Sequence, residues 1–239
     1  MKIFLSRLLV ITAGVFALQS CHDITTEDQS IITYYVTFDM KGNAIETVEL
    51  GTPYVEPGVT ATENDVDKTS SMQISGEVNS DEAGVYILTY SAVNEDGYPS
   101  SIERMVIVYD PETTDLETDI SGEYTSEEGT HRLVLSSGAT VAYSGYPVVI
   151  DPVAPGIFYV SDYFGGYYDK RAGYGKNYAM TGYFALNKDH TITLLSSHVN
   201  GWGDALDELN DATYDPETGI ITWGAVYVGS YSFNLILTE

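Results

Sequence analysis

Apolar and polar residues alternate with a period of two through much of this chain. From Val85 to Val93, Tyr86, Leu88, Tyr90 and Ala92 share one face, while Val85, Ile87, Thr89 and Ser91 share the other. A strand buried on one face has this pattern. Ile102–Tyr109 repeats it with Val106 and Val108 aligned, and Asn94-Glu95-Asp96-Gly97 supplies a hairpin turn between the two. Further strands are predicted at Ile32–Phe38, Thr47–Leu50, Val59–Thr62 and Met72–Ser75, punctuated by Gly42, Gly51, Pro53, Pro57 and Gly58. Short strands at this spacing predict an antiparallel sandwich over residues 31–110.

Residues 120–239 are again strand-rich. Gly182–Asn187 and Thr191–Ser196 flank Lys188-Asp189-His190 as a hairpin. Asp215-Pro216-Glu217-Thr218-Gly219 is a turn between Ala212–Tyr214 and Ile220–Trp223, and Phe233, Leu235 and Leu237 mark a closing strand. The expected fold class is therefore all-β, with a second antiparallel sandwich or small barrel at the C-terminal end. Between the two parts, residues 111–119 are acidic with Leu116 as their one apolar side chain. Such a stretch buries too little surface to offset its ordering entropy and is expected to be a linker. Trp202–Asp211 has helical spacing: Asp204, Asp207, Glu208 and Asp211 fall on one face with Leu206 and Leu209 roughly opposite. It lacks the alternating layout of a calcium loop, so a short helix with a solvated acidic face is expected rather than a metal site.

Charge narrows the classes of partner. The chain has 35 acidic and 10 basic residues, a formal charge of −25; without its first twenty residues it retains 8 basic side chains and reaches −27. Such a surface repels phosphate backbones, which excludes nucleic acid as a partner, and it disfavours a polybasic grip on anionic lipid. Membrane association is expected by another route. Lys2 and Arg7 precede an uncharged run from Leu8 to Leu18. Residues 1–20 thus form a signal-peptide pattern, too short for a permanent span. Leu18-Gln19-Ser20-Cys21 resembles a bacterial lipobox, and Cys21 is the single cysteine of the sequence. That resemblance implies lipidation of Cys21, with residues 21–30 as an acidic tether.

Two longer resemblances follow. Pro57, Gly58, Val59 and Ala61, then Gly84, Tyr86 and Tyr90, then Arg104, Val106 and Val108 match the bacterial Ig-like domains of surface proteins. Asp81-Glu82-Ala83-Gly84-Val85-Tyr86 resembles a tyrosine corner, with Leu88 in the place of the second cysteine of antibody domains. Val93-Asn94 departs from the family, which usually has Asp opening that turn. The C-terminal block resembles the C-terminal domains of Bacteroidetes surface lipoproteins encoded with glycan-uptake systems of the starch-utilisation type. The matching features are the Tyr-Gly-rich loop, the Tyr214-Asp215-x-x-Thr218-Gly219-x-Ile221-x-Trp223 hairpin and the terminal strand from Phe233. The resemblance implies a lipid-anchored protein of the outer membrane and cell surface, and no binding residues carry over from it.

The candidate ligand site comes from the residues themselves. Tyrosine is overused, 20 against 7 Phe and 2 Trp, and it concentrates between Tyr159 and Tyr183, whose loop-like centre, residues 161–178, also holds four glycines and Lys170, Arg171 and Lys176. Glycine lets backbone approach a ligand, and Tyr offers an apolar face with a polar edge, a pairing suited to sugar rings. Tyr163, Phe164, Tyr167, Tyr168 and Tyr174 are the candidate binding residues, with Trp202 a further platform and Trp223 expected in the core. A neutral or cationic glycan is the expected ligand, with the local basic residues able to admit an acid group. Catalytic residues, metal and cofactors are not expected: the four His are scattered, and neither a nucleophile elbow nor a phosphate loop is present. A glycoside hydrolase carboxylate pair is not legible in so acidic a sequence. The alternative function is an Ig-like stalk that docks other proteins of an outer-membrane complex and has no glycan ligand.

Overall fold

The computed structural model describes residues 32–239; Cys21 and the residues assigned to signal and tether lie outside them. The protein is all-β. Its N-terminal part consists of β1 (Thr37–Met40), β2 (Ile45–Glu49), β3 (Val59–Glu63), β4 (Val66–Asp67), β5 (Gln73–Ser75), β6 (Gly84–Val93) and β7 (Pro99–Tyr109). Strands β1, β3 and β4 form one sheet, and β2, β7, β6 and β5 form the other. β2 runs parallel to β7, and the remaining pairings are antiparallel. Val59, Leu88, Tyr90 and Val106 are the buried centre between them. The alternation in β6 thus places Leu88 and Tyr90 inward as expected.

The Asn94–Gly97 turn forms with a Gly97 N–H bond to the Asn94 carbonyl of 3.0 Å. Asn94 suits its departure from the family pattern: it is buried, its Oδ1 accepts the Tyr98 N–H at 2.6 Å, and its Nδ2 donates to the Tyr34 carbonyl at 2.7 Å. An Asp there has no N–H for that second bond. The tyrosine corner is present too, with the Tyr86 hydroxyl donating to the Glu82 carbonyl at 2.9 Å.

The C-terminal part contains β8 (Gly122–Ser126), β9 (His131–Val134), β10 (Thr140–Ala142), β11 (Pro147–Ala154), β12 (Ile157–Val160), β13 (Thr181–Leu186), β14 (Ile192–His198), β15 (Glu208–Tyr214), β16 (Ile221–Tyr227) and β17 (Tyr231–Thr238). All ten belong to one antiparallel sheet. It curls on itself. β17 pairs with β8, β9 and β16, while β14 meets β15 through the Thr191–Thr213 bridge and a Tyr214 N–H bond to the His190 carbonyl of 2.9 Å. Phe158, Phe164, Phe184, Phe233, Trp223 and Leu235 fill the interior.

Two expectations are corrected. Residues 204–211 are not helical: Glu208–Asn210 pair with Gly224–Val226 of β16, and Asp211 sits at a bulge with φ of +49°. Ladder pairing with a buried strand outweighs the local 3.6-residue spacing. The acidic segment after β7 is not a free tether between the two parts. The Asp115 N–H bonds the Leu186 carbonyl, and the Lys188 N–H bonds the Thr113 carbonyl, both at 2.8 Å. Lys188 Nζ also donates to the carbonyls of Pro111 and Glu112, each at 3.0 Å. Backbone bonding orders this segment where apolar burial does not. Beside it, Ile107 of the N-terminal sheet is buried with Ile157 and Ala185 of the C-terminal one, flanked by Val85, Met105 and Leu195. The face of β6 opposite the Leu88 core therefore has a partner.

Candidate functional site

The irregular segment between β12 and β13 carries the site. It opens at Asp162, whose carboxylate is buried and accepts three backbone N–H groups: Phe164 at 2.9 Å, Met180 at 3.0 Å and Gly166 at 2.8 Å. Burial pushes this carboxyl up to about 7, against those three donors, which favour the charged form. The bonds tie both ends of the segment together and hold the Gly165–Gly166 turn. Gly166 has φ of +81°, and a Cβ there would lie 2.5 Å from the Tyr146 side chain, so only glycine fits. A single π-helical turn, Tyr167–Arg171, follows.

Of the six aromatic candidates, three belong to the core. Tyr163 and Phe164 are fully buried, and Tyr167 is 6% exposed. Tyr163 packs edge-on against Trp223, whose Nε1 donates to the Tyr163 carbonyl at 3.0 Å. Phe164 packs on Phe233 with centroids 4.3 Å apart. These rings are enclosed by β16 and β17 and present no face to a ligand. Trp223 is in the core as expected.

The other three come together at the surface. Trp202 is 40% exposed and Tyr174 55% exposed. Trp202 stands on the turn after β14, where its N–H and that of Gly203 bond the Val199 carbonyl. It is backed by Tyr178 at 4.8 Å, Tyr168 at 4.9 Å and Tyr227 at 6.0 Å between centroids. Tyr174 stacks on Tyr168 at 5.9 Å with an interplanar angle of 24°. Gly201 makes this packing possible, because a Cβ there would meet the Tyr178 ring at 2.5 Å. The Tyr227 hydroxyl donates to Asp204 at 2.8 Å, and burial and that bond raise its pKa well above the ordinary range. Asp207 accepts the Gly229 N–H at 2.6 Å. Two carboxylates of the expected acidic face are thus hydrogen-bond acceptors within the fold. Among the described residues no group of three or more His, Cys, Asp and Glu is placed to hold a metal ion.

A cleft of about 460 Å³ adjoins this aromatic face, lined by Tyr159, Ser161, Asp169, Lys176, Asn177 and Asn200 among others. The Asn177 carbonyl accepts the Gly201 N–H at 2.6 Å, which couples cleft and Trp202 turn. Tyr178, Tyr227 and Asp162 were not among the sequence candidates. Asp162 has a local signal, an Asx turn ahead of a Gly-Gly pair. Tyr227 has none, since it reaches the site from a distant strand.

Fold and site together define an all-β protein with an Ig-like part and a C-terminal part bearing an exposed aromatic face. Comparison with known proteins agrees on the two-part, Ig-like organisation. Residues 38–108 match the bacterial surface protein Ig-like domain, and residues 113–239 match a second family, described as a C-terminal domain. The lipoprotein BT2262 from Bacteroides thetaiotaomicron is 44% identical, over 86% of this chain and all of its own, with a TM-score of 0.49. The chain belongs to the family of this lipoprotein. Two structures from Clostridium perfringens ZmpB are far more remote. One contains CBM51-2 in complex with GlcNAc and INT domains: 18% identity, 53% of this chain and 29% of that one, TM-score 0.28. The other contains the M60 catalytic domain with CBM51-1 and CBM51-2: 16% identity, 54% and 14% coverage, TM-score 0.29. At that level of superposition they bear on neither fold nor ligand. No curated protein matches the chain.

Proposed function

We propose that this protein is a lipid-anchored accessory protein of the bacterial cell surface that binds a glycan, without converting it, on the Trp202–Tyr174 face. The observation that carries this reading is the exposure of Trp202 and Tyr174 on a support of three further Tyr rings. Rigidly backed aromatic faces stack on sugar C–H surfaces at low entropic cost, and the adjoining cleft offers amide, hydroxyl and ammonium groups to sugar hydroxyls. A few stacking contacts, less the cost of fixing a flexible sugar, leave about 4–6 kcal/mol, roughly millimolar to tens of micromolar. On a crowded surface multivalency makes that affinity sufficient.

Trp202→Ala is expected to weaken binding about tenfold or more in affinity gels and calorimetry against a broad polysaccharide panel. Failure of the folded protein to bind any member would refute glycan binding and favour the docking-module alternative. Attachment is proposed at Cys21, in the outer membrane. No helix among the described residues is long and apolar enough to cross a bilayer. Metabolic labelling with a lipid precursor is expected to mark the protein and not its Cys21→Ala variant; label on that variant would exclude the site.

A further inference from the structure

Two arginines flank the aromatic face without a counter-charge. Arg132, on β9, has its guanidinium carbon 4.9 Å from the centroid of Tyr167 and 4.8 Å from that of Tyr231, so two rings hold it. Arg171, at the end of the π-helical turn, lies 5.2 Å from the same Tyr167 ring. Neither forms an ion pair among the described residues, although acidic side chains outnumber basic ones 35 to 10. By contrast, Lys68, Arg104 and Lys170 all pair with carboxylates, and Lys188 caps carbonyls. The Arg132 Nε is buried and has no acceptor. Arg132 also lies beside Tyr168, where its charge opposes the rise that burial imposes on that hydroxyl. Tyr168 in turn contacts Trp202. The guanidinium is therefore one ring away from the exposed indole.

We infer that Arg132 and Arg171 form an anion subsite at the edge of the aromatic face, and that the ligand is a glycan bearing an acidic group. This rests on the glycan-binding reading above. A guanidinium stacked on an aromatic ring keeps its N–H edge free, in the fork geometry that matches a carboxylate or a sulfate ester bidentately. Arg132, half-buried with its Nε enclosed and without a carboxylate beside it, carries a desolvation cost that a ligand anion offsets, and the exposed Arg171 adds a second positive charge at the same ring. The remainder of the molecule sets the spacing of the acid groups. A formal charge of −25 repels a contiguous polyanion but tolerates single acid groups separated by neutral sugars. The class is a glycan with alternating or sparse uronate or sulfate, not a polyuronate.

Calorimetry of the whole protein tests this with hyaluronan, unsulfated chondroitin and glucuronoxylan oligosaccharides, the carboxyl-reduced form of each, sulfated chondroitin, and oligogalacturonate as the contiguous polyanion. At least one alternating or sparse acid is expected to bind tenfold or more tighter than its neutral form, with oligogalacturonate weaker and the difference shrinking as salt rises. In Arg171→Ala, an exposed position, acidic and neutral forms are expected to bind alike; Arg132→Lys, which keeps the charge but not the fork, is expected to narrow the gap. Preference for sulfated chondroitin alone identifies sulfate as the anion and upholds the subsite. Equal affinity of wild type for acidic and neutral forms overturns the subsite and leaves the aromatic reading standing; binding to no member of this set likewise overturns the subsite, and the aromatic reading falls only if the broad panel is also not bound.

Discussion

Replacing Arg104 by methionine is expected to remove about 3–5 kcal/mol from the stability of the N-terminal part, enough to bring a domain of ordinary stability close to unfolding. Arg104 is fully buried on β7, and its guanidinium joins three separate segments. Its Nη2 donates to the Lys41 carbonyl at 2.6 Å and meets Glu56 Oε1 at 3.1 Å; its Nη1 donates to the Asn43 carbonyl and lies 3.5 Å from Glu46 Oε1. Methionine fills much of the volume but leaves two carbonyls and two carboxylates without their donor. Burial opposes ionisation of Glu56, yet hydrogen bonds from the Tyr54 hydroxyl and the Gly58 N–H, with the nearby Tyr90 hydroxyl and the Arg104 charge, together hold its pKa below the ordinary value. A depressed carboxyl pKa contributes stability that is present above the unfolded value and is lost as pH falls through the folded one. The wild-type midpoint in urea is thus expected to fall under acid, and the methionine variant to lie low already at neutral pH. A midpoint displaced by less than about 1 kcal/mol would show that the network is not what holds these segments together.

Where the sequence was readable, a local pattern and its tertiary consequence coincided. In β6 one face of the alternation is the Leu88–Tyr90 core, and the tyrosine corner follows from six consecutive residues. The same spacing recurs as Asp119-Ile120-Ser121-Gly122-Glu123-Tyr124, and there too the hydroxyl returns to a backbone carbonyl four residues back, Ile120, at 2.9 Å. That second corner was legible and opens β8. The aromatic segment was legible only as a composition. Tyr163, Phe164 and Tyr167 are sequence neighbours of Tyr168 and Tyr174, and no period separates the two groups, because the segment is neither strand nor regular helix. What sorts them is Trp223 and Phe233, about sixty residues further along the chain, arriving on β16 and β17. Arg132 was invisible for the same reason: its neighbours Tyr167 and Tyr231 are joined to it only by the curl of the sheet.

Asp162→Ala is expected to cost the C-terminal part about 3 kcal/mol or more, because it leaves three buried N–H groups without an acceptor at about 1–3 kcal/mol each. The loss is local in origin. Without the bonds to Phe164, Gly166 and Met180, the turn that delivers Tyr167 and Tyr168 loses its side-chain anchor, so near-ultraviolet circular dichroism and glycan binding should both diminish before the sheet melts. Asp162→Asn keeps one oxygen for Phe164 and Met180 but turns an amide nitrogen towards the Gly166 N–H, so its cost is expected to be smaller, about 1–3 kcal/mol. The asparagine variant also isolates the titration. The folded pKa of Asp162, about 7, lies above its unfolded value, so the native state holds this proton more tightly. The contribution of protonation is fully present below about pH 4 and is lost as pH rises through about 7. The stability difference between wild type and Asp162→Asn is therefore expected to shrink as pH rises from about 5 to 8, read from urea midpoints at each pH. A difference constant over that range would mean that the three N–H groups keep the carboxylate charged throughout. An alanine variant with an unaltered midpoint would mean that the turn does not depend on Asp162.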